Sequence, residues 1–247
     1  MDIRIFCPSF RRAYGTITDK EYPFVTFVVA SFEADEYRNQ GLKVLECPDE
    51  VQGNIARVRN WILDNNEDAD MVVIMDDDIS NLTYYDEQKL YEMNELEVLE
   101  FFEEVLILLE DSGYYYGGLQ VNTDKGAYRE HSPFNFIAYI PSPVQFFRKG
   151  NALRHDEEIP LKEDYDMTLQ QLYRYGGVLR MNKYSRICKQ ASNTGGCSLY
   201  RNSDEELSQL KTLQRKWGRD VVKMDSRSKK GFDFNPVLKF NKILKGM

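Results

Sequence analysis

The strongest constraint on this chain is an unbroken apolar run, Met71–Met75, that is followed at once by Asp76, Asp77 and Asp78. A short apolar run of this kind is typical of a strand buried on both faces of a parallel sheet. Open α/β sheets bind their ligands at the carboxyl ends of the strands. The sequence therefore predicts an α/β fold in which three carboxylates lie at the ligand-binding edge.

Other segments alternate between strand and helix patterns. Apolar runs bounded by turn residues predict strands at Ile3–Phe6, Phe24–Ala30, Leu42–Cys47, Tyr114–Val121 and Asn135–Ile140. Apolar residues at helical spacing predict helices at Gln52–Asn65, within Tyr85–Asp111, at Asp164–Tyr175 and at Pro236–Leu244. Strands separated by helix-length connections indicate a doubly wound sheet.

Composition excludes several classes of protein. A hydrophobic content of 42% with 13% aromatic residues is sufficient for a core and argues against disorder. The four cysteines form no C-x-x-C pair, so neither a zinc site nor a disulfide framework is supported. No run is long enough for a membrane span, and Met1-Asp2-Ile3-Arg4 does not begin a signal peptide. We therefore expect a cytoplasmic protein.

Charge is unevenly distributed along the chain. The formal net charge is −8, yet residues 211–247 carry 11 Lys and Arg against 3 Asp and Glu. An acidic body with a basic tail favours an anionic ligand near the tail, either a phosphate or a nucleic acid, although a merely soluble surface explains the charge equally well. Lys223–Asp233 is predicted as a mobile basic loop.

The three aspartates predict a metal site. Adjacent like charges are costly at a sheet edge unless a cation offsets them, and carboxylate oxygens suit Mg²⁺ or Mn²⁺ bridging to a diphosphate. A solvated loop or a helix cap accounts for one aspartate but poorly for three. Asp76-x-Asp78-x-Ser80 also resembles the phosphotransferase motif of haloacid-dehalogenase-like enzymes, but that family needs a second acidic pair after a later strand, and the later acidic cluster does not follow one.

That later cluster, Glu163, Asp164 and Asp166, lies at a predicted helix start, where acidic residues are common for electrostatic reasons alone. The helix Asn54-Ile55-Ala56-Arg57-Val58-Arg59-Asn60, the Asp76–Asp78 run and this cluster follow the first-strand Pro-Ser turn in order. In this order the chain resembles the GT-A glycosyltransferases. More narrowly, it resembles the TET/JBP-associated glycosyltransferases, found largely in bacteriophage and linked to glycosylation of 5-hydroxymethylcytosine in DNA. The resemblance runs from Ile3 to about Cys188.

The resemblance implies a role for each matching residue. Asp76 and Asp78 match the metal-binding D-x-D motif, with Asp76 and Asp77 also beside the donor. Arg57 or Arg59 matches an arginine that reaches the donor nucleotide, and Pro8 and Ser9 line the nucleoside pocket. Glu163 and Asp164 match the acidic pair that supplies the base, with Asp164 preferred and Asp166 as its substitute.

The chain lacks the carboxyl-terminal histidine that serves many GT-A enzymes as a metal ligand, since its only histidines are His131 and His155. We expect both to be surface or satisfied polar residues. Asp225 is the suggested replacement ligand, and Lys223 and Arg227 would close over the diphosphate. A basic loop could instead contact DNA phosphates or simply be solvated.

The resemblance thus implies a single GT-A-like domain, 1–247, with a mixed, mostly parallel sheet flanked by helices. Residues 1–122 would form a nucleotide-sugar-binding half, 123–200 an acceptor half and 201–247 a basic carboxyl-terminal segment. The expected reaction is transfer of a hexose from a UDP-sugar to a hydroxyl with Mn²⁺ or Mg²⁺, the favoured acceptor being 5-hydroxymethylcytosine in DNA. A polysaccharide or protein acceptor is one alternative, and a non-catalytic nucleic-acid-binding module with a relic fold is another.

Overall fold

The computed structural model of the chain describes residues 1–87, 89–120, 128–188, 195–225 and 234–243. The strands in chain order are β1 Ile3–Pro8, β2 Thr26–Ala30, β3 Val44–Cys47, β4 Met71–Met75, β5 Ile79–Asp86, β6 Lys89–Glu92, β7 Tyr116–Leu119, β8 Phe134–Asn135, β9 Val144–Arg148, β10 Leu179–Met181, β11 Tyr184–Cys188, β12 Val222–Met224 and β13 Pro236–Leu238. The α-helices are α1 Thr18–Glu21, α2 Ala34–Asn39, α3 Ile55–Asp64, α4 Glu95–Ser112, α5 Glu163–Tyr175, α6 Ser203–Trp217 and α7 Phe240–Ile243.

One eight-stranded sheet organises the fold, in the order β3-β2-β1-β4-β9-β7-β10-β8. Its parallel pairs are β2–β3, β1–β2, β1–β4 and β7–β10. Strand β9 runs antiparallel to both β4 and β7, and β8 runs antiparallel to β10. The predicted fold class, an α/β fold with a mixed, mostly parallel sheet flanked by helices, is confirmed.

The central strand β4 explains why its sequence is continuously apolar. Met71, Val73 and Met75 pack into a core with α2 and α4, whereas Val72 and Ile74 face a second core with α3, α5 and α6. All five side chains are buried. Neighbouring residues of a strand point to opposite faces of the sheet. When both faces are covered, every position of the strand is buried and therefore favours an apolar side chain. Asp76 is thus the first polar residue that follows the covered strand.

Local signals set the two helices that carry site residues. Helix α3 starts after Asn54, whose side chain accepts hydrogen bonds from the backbone of Ala56 and Arg57, a standard N-cap. Helix α5 ends at Gly176, which adopts a left-handed φ of 78°, as glycine readily does. These two ends explain why the predicted helices at 52–65 and 164–175 are confirmed to within a few residues.

Several predicted elements are corrected. Residues 136–140, predicted as strand, lie outside one, because only Phe134–Asn135 pairs with β10. Helix α4 begins at Glu95, and Lys89–Glu92 forms a hairpin with β5 instead of joining the acidic helix. Pro236–Leu238 is a strand paired with β12, and the closing helix begins only at Phe240.

Other features were not predicted. Strand β9 and helix α6 had no counterpart in the sequence analysis, and β11-β5-β6 forms a separate three-stranded sheet. Of the basic loop predicted at 223–233, Lys223 and Met224 lie in β12, and 226–233 lies outside the described residues. Within the described ranges, no helix has the length and hydrophobicity that a membrane crossing requires.

The glycine pair of β7 is a packing requirement. A Cβ at Gly118 would lie 2.4 Å from Ile140 Cγ2 and 3.0 Å from the carbonyl oxygen of Val144. We predict that Gly118→Ala lowers the free energy of unfolding by about 1–3 kcal/mol, as overpacking of a core does. Urea unfolding measures this loss.

A double-mutant cycle with Ile140→Ala gives the control. Because Ile140→Ala removes the clashing methyl group, its cost and that of Gly118→Ala should combine to less than their sum. Strict additivity would show that the Gly118 backbone does not depend on close packing with Ile140.

Candidate functional site

A cavity of about 740 Å³ opens where β1 and β4 end. Much of its lining comes from six short segments that are distant in sequence: Pro8–Phe10, Gln52–Ile55, Asp76–Asp78, Pro141–Pro143, Glu163–Tyr165 and Gly196–Ser198. A second pocket of about 400 Å³ lies around Arg148–Ala152 and contains none of these segments. The larger cavity is the candidate site, because it lies at the strand edge where α/β sheets bind ligands and it collects the predicted carboxylates.

Asp77 is turned towards the loop after β1. Its Oδ2 accepts a hydrogen bond of 2.6 Å from Ser9 Oγ, and its Oδ1 pairs with the Arg12 guanidinium at 2.8 Å. Ser9 Oγ also lies 2.8 Å from the hydroxyl of Tyr37. With only 5% of its surface exposed, Asp77 fixes the two loops to each other. Ser9, predicted to line the donor pocket, does lie on the cavity, as does Pro8.

Asp76 is linked to the acidic cluster by one buried arginine. Arg59 donates to Asp76 Oδ1 at 2.9 Å, and its other terminal nitrogen donates to Glu163 Oε1. The guanidinium is almost fully inaccessible, with 1% of the residue exposed. Asp76 and Glu163, which are far apart in sequence, therefore share one cation. Of the two arginines predicted beside the donor, Arg59 reaches the cavity.

Asp78 has a different environment from its two neighbours. Burial, together with the charges of Asp76 and Asp77, raises the pKa of Asp78 to about 6, and the more distant Arg12 offsets this only in part. Burial also raises the pKa of Asp76, against the opposing charge of Arg59. The cavity thus concentrates negative charge at Asp76 and Asp78. In the described ranges, no three His, Cys, Asp or Glu side chains form a ready-made metal cluster.

Asp164 lies on the cavity wall and is held by neutral donors. Its Oδ2 accepts from the hydroxyl of Tyr139 and from the backbone amide of Ser142 at 3.2 Å, and its Oδ1 accepts from the amide of Tyr165 at 2.8 Å. Burial keeps the pKa of Tyr139 well above its usual value, so the phenol remains protonated and donates. Asp164 is therefore fixed without a direct cation partner among these contacts.

Glu163 is buried deeper beside Arg59. Burial and the neighbouring charge of Asp164 raise the pKa of Glu163, whereas the pair with Arg59 acts in the opposite direction. Arg59, whose own pKa is raised by Glu163 and Asp76 despite burial, remains charged. Burial and the neighbouring charge of Asp164 therefore prevail over the ion pair in setting the pKa of Glu163.

The structure separates Asp166 from the other two acids. Its Oδ1 accepts from the Trp217 indole at 2.7 Å, and its Oδ2 accepts from Gln170 at 2.6 Å and Lys216 at 3.0 Å. The residue is fully buried and does not line the cavity. These contacts hold α6 to α5, so Asp166 serves packing in this structure instead of substituting for Asp164.

The other predicted residues that the structure describes do not line the cavity. Arg57 pairs with Glu157 at 3.2 Å on the surface and is not part of the cavity lining. Lys223 is exposed on β12, and neither it nor Asp225, the suggested third metal ligand, lines the cavity. Arg227 lies outside the described residues.

The two histidines contribute no cavity side chain either. His131 is exposed, as predicted for a surface residue. His155 is buried with its ring edge-on to Phe147, and burial lowers its pKa well below the usual value. A histidine kept neutral inside the core is a packing residue at this position.

The cavity residues that the sequence analysis missed include three arginines and one tyrosine: Arg12, Arg186, Arg201 and Tyr139. The position of Arg12, just after the Pro8-Ser9 turn, was a usable signal, because a loop that leaves the sheet beside β4 must pass the aspartates. Tyr139 was assigned to a predicted strand, which concealed its contact with Asp164. Arg186 and Arg201 lie in the carboxyl-terminal part of the chain, where the sequence pattern is weak and no motif identifies them.

Comparison with known proteins gives distant structural likenesses. No family model matches the chain, and no curated protein does. Residues 1–349 of S. aureus TarS match with a TM-score of 0.43 and 16% identity, covering 79% of this chain and 59% of that one. The chain therefore spans less than two thirds of the TarS fragment.

Two further solved structures are similar at the same level. A197 from STIV matches with a TM-score of 0.45 and 10% identity, over 79% of this chain and 89% of that chain. CMP:2-keto-3-deoxy-manno-octonic acid synthetase complexed with CTP matches with a TM-score of 0.43 and 11% identity, over 87% of this chain and 99% of that chain. Likenesses this distant carry no information on substrate or reaction, so the functional argument rests on the cavity.

The Arg59 bridge generates a pH-dependent prediction. Arg59→Gln leaves the buried Glu163 and the partly buried Asp76 without their cation and should cost about 3–5 kcal/mol of the free energy of unfolding near neutral pH. Loss of the cation raises the pKa of Glu163 further above its unfolded value of about 4.3. At pH values between the unfolded-state pKa and the raised native-state pKa of Glu163, the native state binds more protons than the unfolded state. The free energy of unfolding therefore falls as pH rises through this range.

The deficit of Arg59→Gln should therefore be smaller at about pH 5 than at about pH 8, as measured by urea unfolding at both values. Arg154→Gln is the matched control, since Arg154 pairs with the exposed Asp64 and Glu67 and its loss should cost about 0–1 kcal/mol. An equal deficit of Arg59→Gln at both pH values would contradict its assigned role.

Proposed function

We propose that this chain is a metal-dependent glycosyltransferase that moves a hexose from a UDP-sugar to a hydroxyl group, the favoured acceptor being 5-hydroxymethylcytosine in DNA. One observation carries the proposal: a single cavity at the strand edge presents Asp76 and Asp78 on one side and Glu163 and Asp164 on another. Glycosyl transfer needs both a cation for the departing diphosphate and a base for the attacking hydroxyl.

The residues present suit a divalent cation. Asp76 and Asp78 offer hard carboxylate oxygens, which Mg²⁺ and Mn²⁺ prefer. The raised pKa of Asp78, about 6, reflects a local excess of negative charge that a cation would offset. Both oxygens of Asp77 are engaged, by Ser9 and Arg12, whereas Arg59 engages only Oδ1 of Asp76, so the outer two aspartates of the D-x-D pattern are the proposed metal ligands. When bound, the metal would supply Lewis-acid stabilisation of the leaving diphosphate.

Asp164 is the proposed base. It lies on the cavity, and its two oxygens are oriented by Tyr139, Ser142 and Tyr165, none of which is charged. Glu163 is instead engaged by Arg59, which it shares with Asp76, so its carboxylate serves the ion pair that holds the two segments together. A carboxylate fixed by neutral donors can take the hydroxyl proton as the new bond forms.

Arginines support the donor side of the cavity. Arg186 and Arg201 line it, together with five carboxylates and with Arg12 and Arg59, which pair with three of those carboxylates. Guanidinium groups such as those of Arg186 and Arg201 would stabilise the charge of a developing diphosphate without having to reorganise. This arrangement of acids and arginines suits a ligand that brings both a cation and phosphates. A purely apolar ligand would take these charged groups out of water without offering them a polar partner of its own.

The DNA acceptor rests on the family resemblance and on the distribution of charge. Duplex DNA is bound through its phosphates, and an acidic protein opposes that binding. The basic residues of 211–247 give the chain one segment of opposite sign. Lys211 and Arg215 lie on α6, whose neighbouring residue Lys216 is already engaged by Asp156 and Asp166. The charge of the tail therefore supports contact with a nucleic acid.

Incubation with a UDP-hexose, Mn²⁺ and DNA containing 5-hydroxymethylcytosine should add the mass of one hexose to the modified base, read by mass spectrometry of the nucleosides. Chelation with EDTA should abolish the gain, and Mn²⁺ should restore it. If a polysaccharide or a protein is labelled instead, the proposed DNA acceptor is wrong, but the assignment of the chain as a glycosyltransferase stands. A full rate in EDTA would overturn the metal assignment.

Asp164→Asn should lower kcat by about 10²–10⁴-fold with little change in the donor KM, because only the proton transfer is lost. Asp78→Asn should instead raise the Mn²⁺ concentration needed for half-maximal rate. UDP release measures both, and Glu158→Gln, on an exposed residue of the same region, should behave as wild type. Unchanged turnover in Asp164→Asn would show that Asp164 is not the base.

A further inference from the structure

The geometry points to Arg12 as a positioning residue that holds the segment Gly195–Arg201, here called the wall segment, against the Asp76–Asp78 loop and so completes one side of the cavity. Arg12 makes contacts in both directions. One terminal nitrogen pairs with Asp77 Oδ1 at 2.8 Å, and the other donates to the carbonyl oxygen of Gly195 at 2.9 Å. A planar guanidinium can serve two acceptors at fixed angles, which a lysine ammonium at this position cannot reproduce.

Close packing reinforces these hydrogen bonds. The amide of Gly196 donates to the carbonyl oxygen of Phe10 at 3.0 Å. A Cβ at Gly195 would lie 2.8 Å from both Arg12 Cγ and Phe10 O, and a Cβ at Gly196 would lie 3.1 Å from Arg12 Cζ. With φ values of +135° and +55°, both positions also favour glycine by conformation. The wall segment thus reaches the Arg12 side chain through backbone that has no room for a side chain.

The loop that carries Arg12 is the fixed partner. The amide of Arg11 donates to Glu33 Oε2 at 2.7 Å, and the amide of Arg12 donates to the Tyr37 hydroxyl at 3.1 Å. Arg11 holds a left-handed φ of 56°, which a non-glycine residue keeps only where its surroundings impose it. Arg12 therefore projects from an anchored loop towards a segment that depends on it.

The wall segment has some internal order of its own. The Arg201 amide donates to the carbonyl oxygen of Cys197 at 3.0 Å, and Ser198 Oγ donates to that of Gly195 at 2.6 Å. It presents Cys197, Ser198, Tyr200 and Arg201 to the cavity. Its fold is local, but its placement depends on Arg12 and Phe10.

The consequence for catalysis rests on the proposed function. If the cavity holds a sugar nucleotide, Arg12 neutralises the middle aspartate and keeps the wall segment beside the reacting groups. A mispositioned wall lowers kcat even with the metal and the base intact, because small displacements of a bound substrate are costly to the rate.

Hydrogen exchange followed by mass spectrometry tests the placement without any substrate. Arg12→Gln should speed exchange of the Gly196 amide, the one that bonds to Phe10, by roughly tenfold to a hundredfold, the range for losing a hydrogen bond to a charged group. Gly195→Ala should have the same effect. Wild-type exchange rates in wall-segment peptides of both variants would overturn the inference.

Matched controls separate placement from general destabilisation. Arg154→Gln removes an ion-paired arginine of similar exposure, and Gly113→Ala strains a positive φ where a new Cβ meets nothing within 4 Å. Neither should change exchange in the wall segment. Arg12→Lys keeps the charge beside Asp77 and is the second variant if Arg12→Gln does not fold. It should also speed exchange at Gly196, and an unchanged rate would count against the inference.

Kinetics distinguish positioning from direct donor contact. If Arg12 acts through the wall segment, Arg12→Gln and Gly195→Ala should each lower kcat more than they raise the donor KM, and the double variant should be no worse than the poorer single one. If Arg12 binds the donor itself, only Arg12→Gln should raise KM, with unchanged exchange, and the inference fails. Absence of turnover in the wild type would remove the proposed function while leaving the exchange result to stand.

Discussion

The buried guanidinium of Arg59 is the interaction on which the site depends. It lies between Asp76, at the end of the central strand, and Glu163, at the start of α5, and so draws together parts of the chain that are far apart in sequence. Two carboxylates buried so close to each other would otherwise repel at a high cost in free energy. Arg59 offsets the charges of both Asp76 and Glu163. Asp78 and Asp164 can therefore lie on the same cavity although no further arginine lies between them.

Much of the fold followed from local patterns. Strand β4 was predicted to its exact ends because a strand covered on both faces must be apolar throughout, and α3 and α5 were predicted because their caps and spacing are encoded within the helices themselves. Strand β9 was missed because its place between β4 and β7, antiparallel to both, arises only from distant partners. Residues 136–140 show the reverse error, since they form no strand pairing although Ala138 and Ile140 are buried.

The candidate site divides in the same way. Asp76, Asp78, Glu163 and Asp164 were found because each follows or begins an element with a strong sequence pattern, and the structure brings them to one cavity. Their neighbour Asp166 shares that pattern, yet a helix position two residues further on points to another face and meets Trp217 instead. Arg12 and Tyr139 could not be assigned a role from the sequence, because what gives them one is contact with residues more than 20 positions away.

The contact between Asp166 and α6 bears on how this chain can be divided or recombined. Trp217 and Lys216 supply two of the donors to a carboxylate that has no access to solvent, so a chain cut before α6 would keep the charge and lose its compensation. The helix carrying the acidic pair is therefore braced by a segment that contributes nothing to its motif. Any exchange of carboxyl-terminal segments between related chains would have to carry the indole and the ammonium with it.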